Sequence, residues 1–125
     1  MNIPSELKYT KEHEWVKVTG DTATIGITDF AQGELGDVVF VELPSAGTKV
    51  KAMQPFGTIE AVKAVSEIFA PVSGEVVDVN SLLDSDPTTV NRDPYGEGWM
   101  IKIKTNDPSE IGRLMSAEDY KKLVE

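Results

Sequence analysis

The runs of β-branched and aromatic residues in the first two thirds of the chain are cut short by Gly, Pro, Asn or Asp, and few last longer than about six residues. A chain punctuated in this way builds short strands, which bury one face only when stacked on another layer. Glu14 to Val18 and Thr22 to Ile27 flank the turn Thr19-Gly20-Asp21, and Ala23, Ile25 and Ile27 alternate with polar or small positions. That period of two predicts a hairpin. Thr28 or Asp29 then caps a short helix through Leu35, with Gly36 where a left-handed stop costs least. Further strands are predicted over Asp37–Leu43, Thr58–Val62, Ala64–Phe69, Gly74–Val79 and Trp99–Lys104, the last alternating Trp99, Ile101 and Ile103 with Met100, Lys102 and Lys104. The fold class is mainly β, a sandwich or flattened barrel. Near the carboxyl end, Asp107-Pro108-Ser109-Glu110 and Ser116-Ala117-Glu118-Asp119 each offer an N-cap followed by an acid. Two short helices should close the fold as a lid, with Ile111, Leu114 and Met115 on one apolar face and Tyr120, Leu123 and Val124 on the other.

Gly36-Asp37-Val38-Val39 recurs as Gly74-Glu75-Val76-Val77, and each copy passes through turns to another strand, Gly57–Val62 or Trp99–Ile103. Two such β-units predict a quasi-symmetric sandwich whose halves meet near residue 63. The 125 residues suit one domain spanning 1–125, since two cores would leave each half too small. Composition narrows function by exclusion. The absence of cysteine removes disulfides, thiol nucleophiles and thiolate metal sites, and one histidine argues against a metal centre. A formal charge of -9 opposes nucleic-acid binding, which draws its affinity from clustered Lys and Arg. No apolar run approaches the roughly 20 residues of a membrane helix. The opening MNIPSELKYT has no signal pattern, so the expected compartment is the cytoplasm.

From Ala52 through Asn91 the only basic residue is Lys63, whereas Glu60, Glu67, Glu75, Asp78, Asp84 and Asp86 all fall in that window. Its neighbours Ala61, Val62, Ala64 and Val65 are small or apolar, so its ammonium group stands alone at a predicted strand-to-strand turn. Tight hairpins favour Gly or Asn-Gly, yet neither occurs between Glu60 and Glu67. Breaches of local turn chemistry collect at functional positions. A lysine amine on a four-carbon stem is the natural root for an amide-linked arm; a solvated loop lysine is the plainer alternative.

The order His13-Glu14-Trp15, Gly26-Ile27-Thr28-Asp29 with Ala31-Gln32, Leu35 through Pro44, Glu60-Ala61-Val62-Lys63-Ala64, Ala70 through Val76, and Pro94-Tyr95-Gly96 with Gly98-Trp99 resembles the H proteins of the glycine cleavage system. The resemblance runs from about Leu7 to the carboxyl end. It implies a lipoyl-domain sandwich with lipoic acid in amide linkage on Lys63, and a chain that catalyses nothing itself. In that family the arm takes an aminomethyl group from a pyridoxal-phosphate glycine decarboxylase and yields it to a tetrahydrofolate-dependent aminomethyltransferase. Dihydrolipoamide dehydrogenase then reoxidises the dithiol, and lipoate-attaching enzymes install the arm. Between visits the loaded arm rests on the carrier, and the family pattern sets carboxylates for its cationic amine at positions matching Glu14 and Glu67, with Glu12 a further candidate. Ala61 stands where the family commonly has serine, and Glu67 where it has aspartate.

Other readings compete. A biotin carrier shares the two halves and the lysine but flanks it with methionines, unlike Val62 and Ala64 here. An unmodified interaction domain would keep the fold without needing the lysine, and a lipoyl carrier of another pathway would look the same at these residues. His13 is assigned no role, since a lone histidine at a strand start is more often packing or surface. Pro94-Tyr95-Gly96-Glu97-Gly98 lacks the Gly-Lys-Ser/Thr ending of a phosphate loop. No nucleophile elbow marks a hydrolase.

Overall fold

The alternation of Ala23, Ile25 and Ile27 turns one face of a strand inward, and in the computed structural model, which describes residues 2–125, all three are buried. Strands β1 (Lys8–Tyr9), β2 (Glu14–Thr19) and β3 (Thr22–Ile27) precede helix α1 (Asp29–Leu35). After it come β4 (Val38–Glu42), β5 (Lys49–Val50), β6 (Pro55–Ala61), β7 (Val65–Phe69) and β8 (Gly74–Val79). The one-turn helices α2 (Leu82–Ser85) and α3 (Thr89–Arg92) lead to β9 (Ile101–Thr105), a 3-10 segment Pro108–Arg113, and α4 (Ala117–Val124). One sheet runs β1-β2-β3-β9-β8-β5 and the other β4-β6-β7, every pairing antiparallel.

The core lies between them. Val38, Val41, Ile59 and Ile68 of the small sheet pack with Ile27 of the large one, under Leu83, Val90 and Met100. Ile59 and Ile68 are each 1% exposed, a burial worth about 2 to 3 kcal/mol apiece before entropy is charged against it. A separate cluster of Leu7, Tyr9, Trp15 and Tyr120 fastens α4 to the edge of the large sheet. There the Trp15 indole N–H donates to the Pro94 carbonyl at 2.9 Å.

The sequence echo has a structural counterpart. The first copy enters β4, which pairs antiparallel with β6; the second enters β8, which pairs antiparallel with β9, one unit in each sheet. The symmetry is incomplete because the amino-terminal strands extend only one sheet. Several details differ from expectation, among them the start of β6 at Pro55 instead of Thr58. The last strand begins at Ile101 instead of Trp99, although the Met100 amide already donates to Ile25 O of β3 at 2.8 Å. Ile101 and Ile103 are buried as expected, but Met100 is fully buried and Trp99 is not. The Asp107 cap is real, its carboxylate accepting from the Ser109 amide at 3.1 Å, but it starts a 3-10 segment instead of an α-helix. On α4, Tyr120 is buried as expected while Leu123 is 48% exposed. Among the described residues no helix is long and apolar enough to cross a membrane.

Candidate functional site

The β6–β7 register pairs Ile59 with Ser66 and Glu60 with Val65, which leaves Val62, Lys63 and Ala64 to turn the chain. Among the described residues only His13 and Met53 combine a side chain larger than hydrogen with positive φ, so Val62 and Lys63 bend without the backbone that Gly or Asn would supply. The bend is held from outside instead. The Val62 amide donates to Asp37 O at 3.0 Å, and the Lys63 amide donates to Leu35 O at 3.1 Å. Leu35 ends α1, whose last carbonyls lack partners within the helix, so the helix terminus and the hairpin tip satisfy one another. Gly36, at φ 78° and ψ -162°, lies beneath the lysine; a Cβ there would sit 3.2 Å from Lys63 Cγ. Lys63 is exposed at the tip, with its stem laid over Gly36.

Beside the tip opens a cleft of about 230 Å³. Ile27, Phe30, Leu35, Ile59 and Ile68 give it apolar walls, and Glu12, Glu14, Glu34 and Glu67 supply carboxyl groups. Leu35 both lines the cleft and accepts the Lys63 amide, so cleft and tip are contiguous. Glu14 is only 2% exposed. Its Oε1 accepts from the Thr10 hydroxyl at 2.6 Å and its Oε2 from the Phe69 amide at 3.3 Å. Burial pushes its pKa up to about 7, against the pull of those two hydrogen bonds and with a small addition from the Glu12 charge. Glu12 and Glu67 are exposed on the rim. The fold thus brings Glu12, Glu14 and Glu67 to one opening, with Lys63 at its edge.

Sequence reasoning missed Glu34, Phe30 and His13 in this lining. Glu34 and Phe30 carry no signal beyond helix periodicity. His13 holds φ 70°, a conformation unusual for a non-glycine residue, and its ring lies 4.8 Å from that of Phe30. Thr10 was also invisible as a partner of Glu14, because their meeting depends on the tight turn between them, where the His13 amide donates to Thr10 O at 3.2 Å. The apolar walls and the acid rim suit an apolar guest with a cationic end, and Lys63 stands exposed on the neighbouring tip.

A sequence model of the glycine cleavage H-protein family matches residues 7–125. The glycine cleavage system H protein of Halalkalibacterium halodurans is 58% identical over 123 residues, 98% of this chain and 96% of that protein. That of Bacillus subtilis is 55% identical over 125 residues, 100% of this chain and 98% of its own. The crystal structure of a glycine cleavage system H protein from Mycobacterium marinum superposes with a TM-score of 0.88 at 39% identity, covering 96% of this chain and 97% of that one. Likeness of sequence and of fold over nearly the whole length places this chain in the glycine cleavage H-protein family.

Proposed function

We propose that Lys63 is the residue through which this lipoyl carrier of the glycine cleavage system holds its arm, as an amide on Nζ, and that the whole chain serves as one carrier domain without catalysis of its own. The observation that carries this reading is the exposed lysine on a bend braced by a separate element. A brace of that kind keeps the amine projecting while the stem stays free to move. When bound, the lipoyl group supplies a dithiolane able to take up an aminomethyl group and two electrons. The chain's part is to root, shelter and release.

In the resting state Ile27, Phe30, Leu35, Ile59 and Ile68 keep water from the arm's apolar stretch. Burial of four methylenes contributes roughly 3 kcal/mol, enough to dock the arm and little enough for a partner to extract it. Glu67 and Glu12 would attract a cationic amine from the rim, with Glu14 the buried carboxyl of the same cleft. A cation beside Glu14 favours its carboxylate form and offsets the burial that otherwise holds a proton on it. The partners in this reading are a pyridoxal-phosphate glycine decarboxylase, a tetrahydrofolate-dependent aminomethyltransferase, dihydrolipoamide dehydrogenase and a lipoate-attaching enzyme, all met in the cytoplasm. Tethering gives each docked partner a high effective concentration of the same arm.

The test is Lys63→Arg. It is expected to keep the wild-type amide spectrum, accept no lipoate from an attaching enzyme, and fail to couple glycine decarboxylation to the aminomethyltransferase. Attachment to the variant at the wild-type rate would remove Lys63 from the site.

A further inference from the structure

Tyr120 is fully buried although it lies on the last helix, and its hydroxyl reaches Thr28 Oγ1 at 2.6 Å and His13 Nδ1 at 2.9 Å. Thr28 caps α1, and His13 precedes Glu14 in the cleft lining. The hydrogens on these groups follow by elimination. Thr28 Oγ1 already accepts the Ala31 amide at 3.2 Å, and Tyr120 is its only other partner among the described residues. Thr28 is wholly buried, so its own hydrogen goes to the Tyr120 oxygen or to nothing. With that oxygen accepting from Thr28, the Tyr120 hydrogen goes to His13 Nδ1, which accepts only when bare. The opposite arrangement, with Nδ1–H donating to Tyr120 and Tyr120 donating to Thr28, strands the threonine hydrogen in the interior.

We propose that Tyr120 is a positioning residue of the cleft, holding His13 as the neutral Nε2–H tautomer so that this residue adds one uncharged N–H donor to a lining whose other ionisable groups are carboxyls. Several features fix this geometry. The Tyr120 ring stacks on Tyr9 with centroids 4.7 Å apart and planes 8° from parallel, which sets the direction of the hydroxyl. The His13 carbonyl accepts the Thr28 amide at 3.0 Å, tying the strained residue to the cap of α1. Glu12 beside His13, Glu34 on α1, Glu14 on β2 and Glu67 on β7 all line the same cleft, and the charges of Glu12 and Glu34 favour an imidazolium. Burial acts the other way and has the larger effect, so the His13 pKa falls below its ordinary value in spite of Glu12 and Glu34.

A neutral histidine leaves the carboxylates free to attract a cation, where an imidazolium would cancel part of their field. Its Nε2–H suits an acceptor on the guest, such as an amide oxygen or a sulfur. That use rests on the cleft being the seat of the arm; the tautomer itself does not. The last helix, expected to be a mere lid, thereby becomes part of the site.

The chain has one histidine, so its ring signals need no assignment. Nitrogen–proton correlation spectra of protein with bare Lys63, recorded from pH 5 to 8, are expected to show Nδ1 bare and Nε2 protonated at pH 7. Tyr120→Phe keeps the stacked ring and removes the hydroxyl; it is expected to raise the proton affinity of His13 by about tenfold and mix the tautomers. An Nδ1–H or doubly protonated ring in the wild type at pH 7, or an unchanged titration in the variant, would overturn the assignment. Should the variant not fold, the wild-type spectrum decides alone. These spectra need no arm, so a failure here is separable from failure of Lys63 to carry one, which mass spectrometry reads.

Discussion

Glu14 carries its carboxyl into a nearly dry position, and the fold holds a proton on it at pH values where an exposed glutamate is ionised. The consequence for stability has a definite sign. A group whose folded pKa rises from 4.5 to about 7 contributes stability that is fully present below 4.5 and is lost as pH rises through 7. The difference amounts to about 3 kcal/mol at full span. Glu14→Gln is therefore expected to flatten the fall in urea midpoint between pH 4.5 and 8, while its amide keeps an oxygen for the Phe69 N–H. A variant that tracks the wild-type pH profile would show that Glu14 titrates normally. Glu67 is exposed on the rim, so under the proposed role it would act on the guest more than on the fold. With the aminomethylated arm and no partner enzymes, Glu67→Gln is expected to lose ammonia roughly threefold to tenfold faster than wild type, the scale of one partly screened charge-assisted contact. An unchanged rate would remove Glu67 from the amine's surroundings.

The elements that position these residues were legible to different degrees, and the reason is periodicity. The β2–β3 hairpin and α1 announce themselves through alternation, a threonine cap and a terminal glycine, and their observed bounds agree closely with those expected. Two-residue strands β1 and β5 and one-turn helices α2 and α3 are too short to establish any period, so nothing in the sequence marked them. Lys63 stood out because its turn breaks the rules of hairpin chemistry, but the cause of that breach lay elsewhere in the chain. The carbonyls of Leu35 and Asp37 take over the work that Asn-Gly does in an ordinary turn. Gly36 is central to this arrangement, since its φ 78° and ψ -162° belong to a region almost reserved for glycine. Gly36→Ala is expected to cost about 1 to 3 kcal/mol in chemical denaturation and to slow arm attachment, because the new methyl group pushes on the Lys63 stem. Undiminished stability with undiminished attachment would mean that the tip does not depend on α1.

Across the whole molecule, a repeated Gly-acid-Val-Val motif was enough to suggest two similar β-units, which the fold sets one in each sheet, while the extension of one sheet by the amino-terminal strands and the tie from α4 were beyond it. The cleft depends on more than the two units, for β2 brings Glu14 and α1 brings Leu35 beside a hairpin that by itself would offer only an exposed lysine, while Tyr120 of α4 holds His13 and Thr28. On the proposed reading, the carrier has one anchor, Lys63, and a sheltered cleft beside it for the arm. The most direct measurement is the intact mass of protein made in cells that synthesise lipoate, with the modified peptide located by fragmentation. One lipoyl increment confined to Lys63 is the expected result; an unmodified chain from lipoate-replete cells, or the increment on any other lysine, would contradict the account.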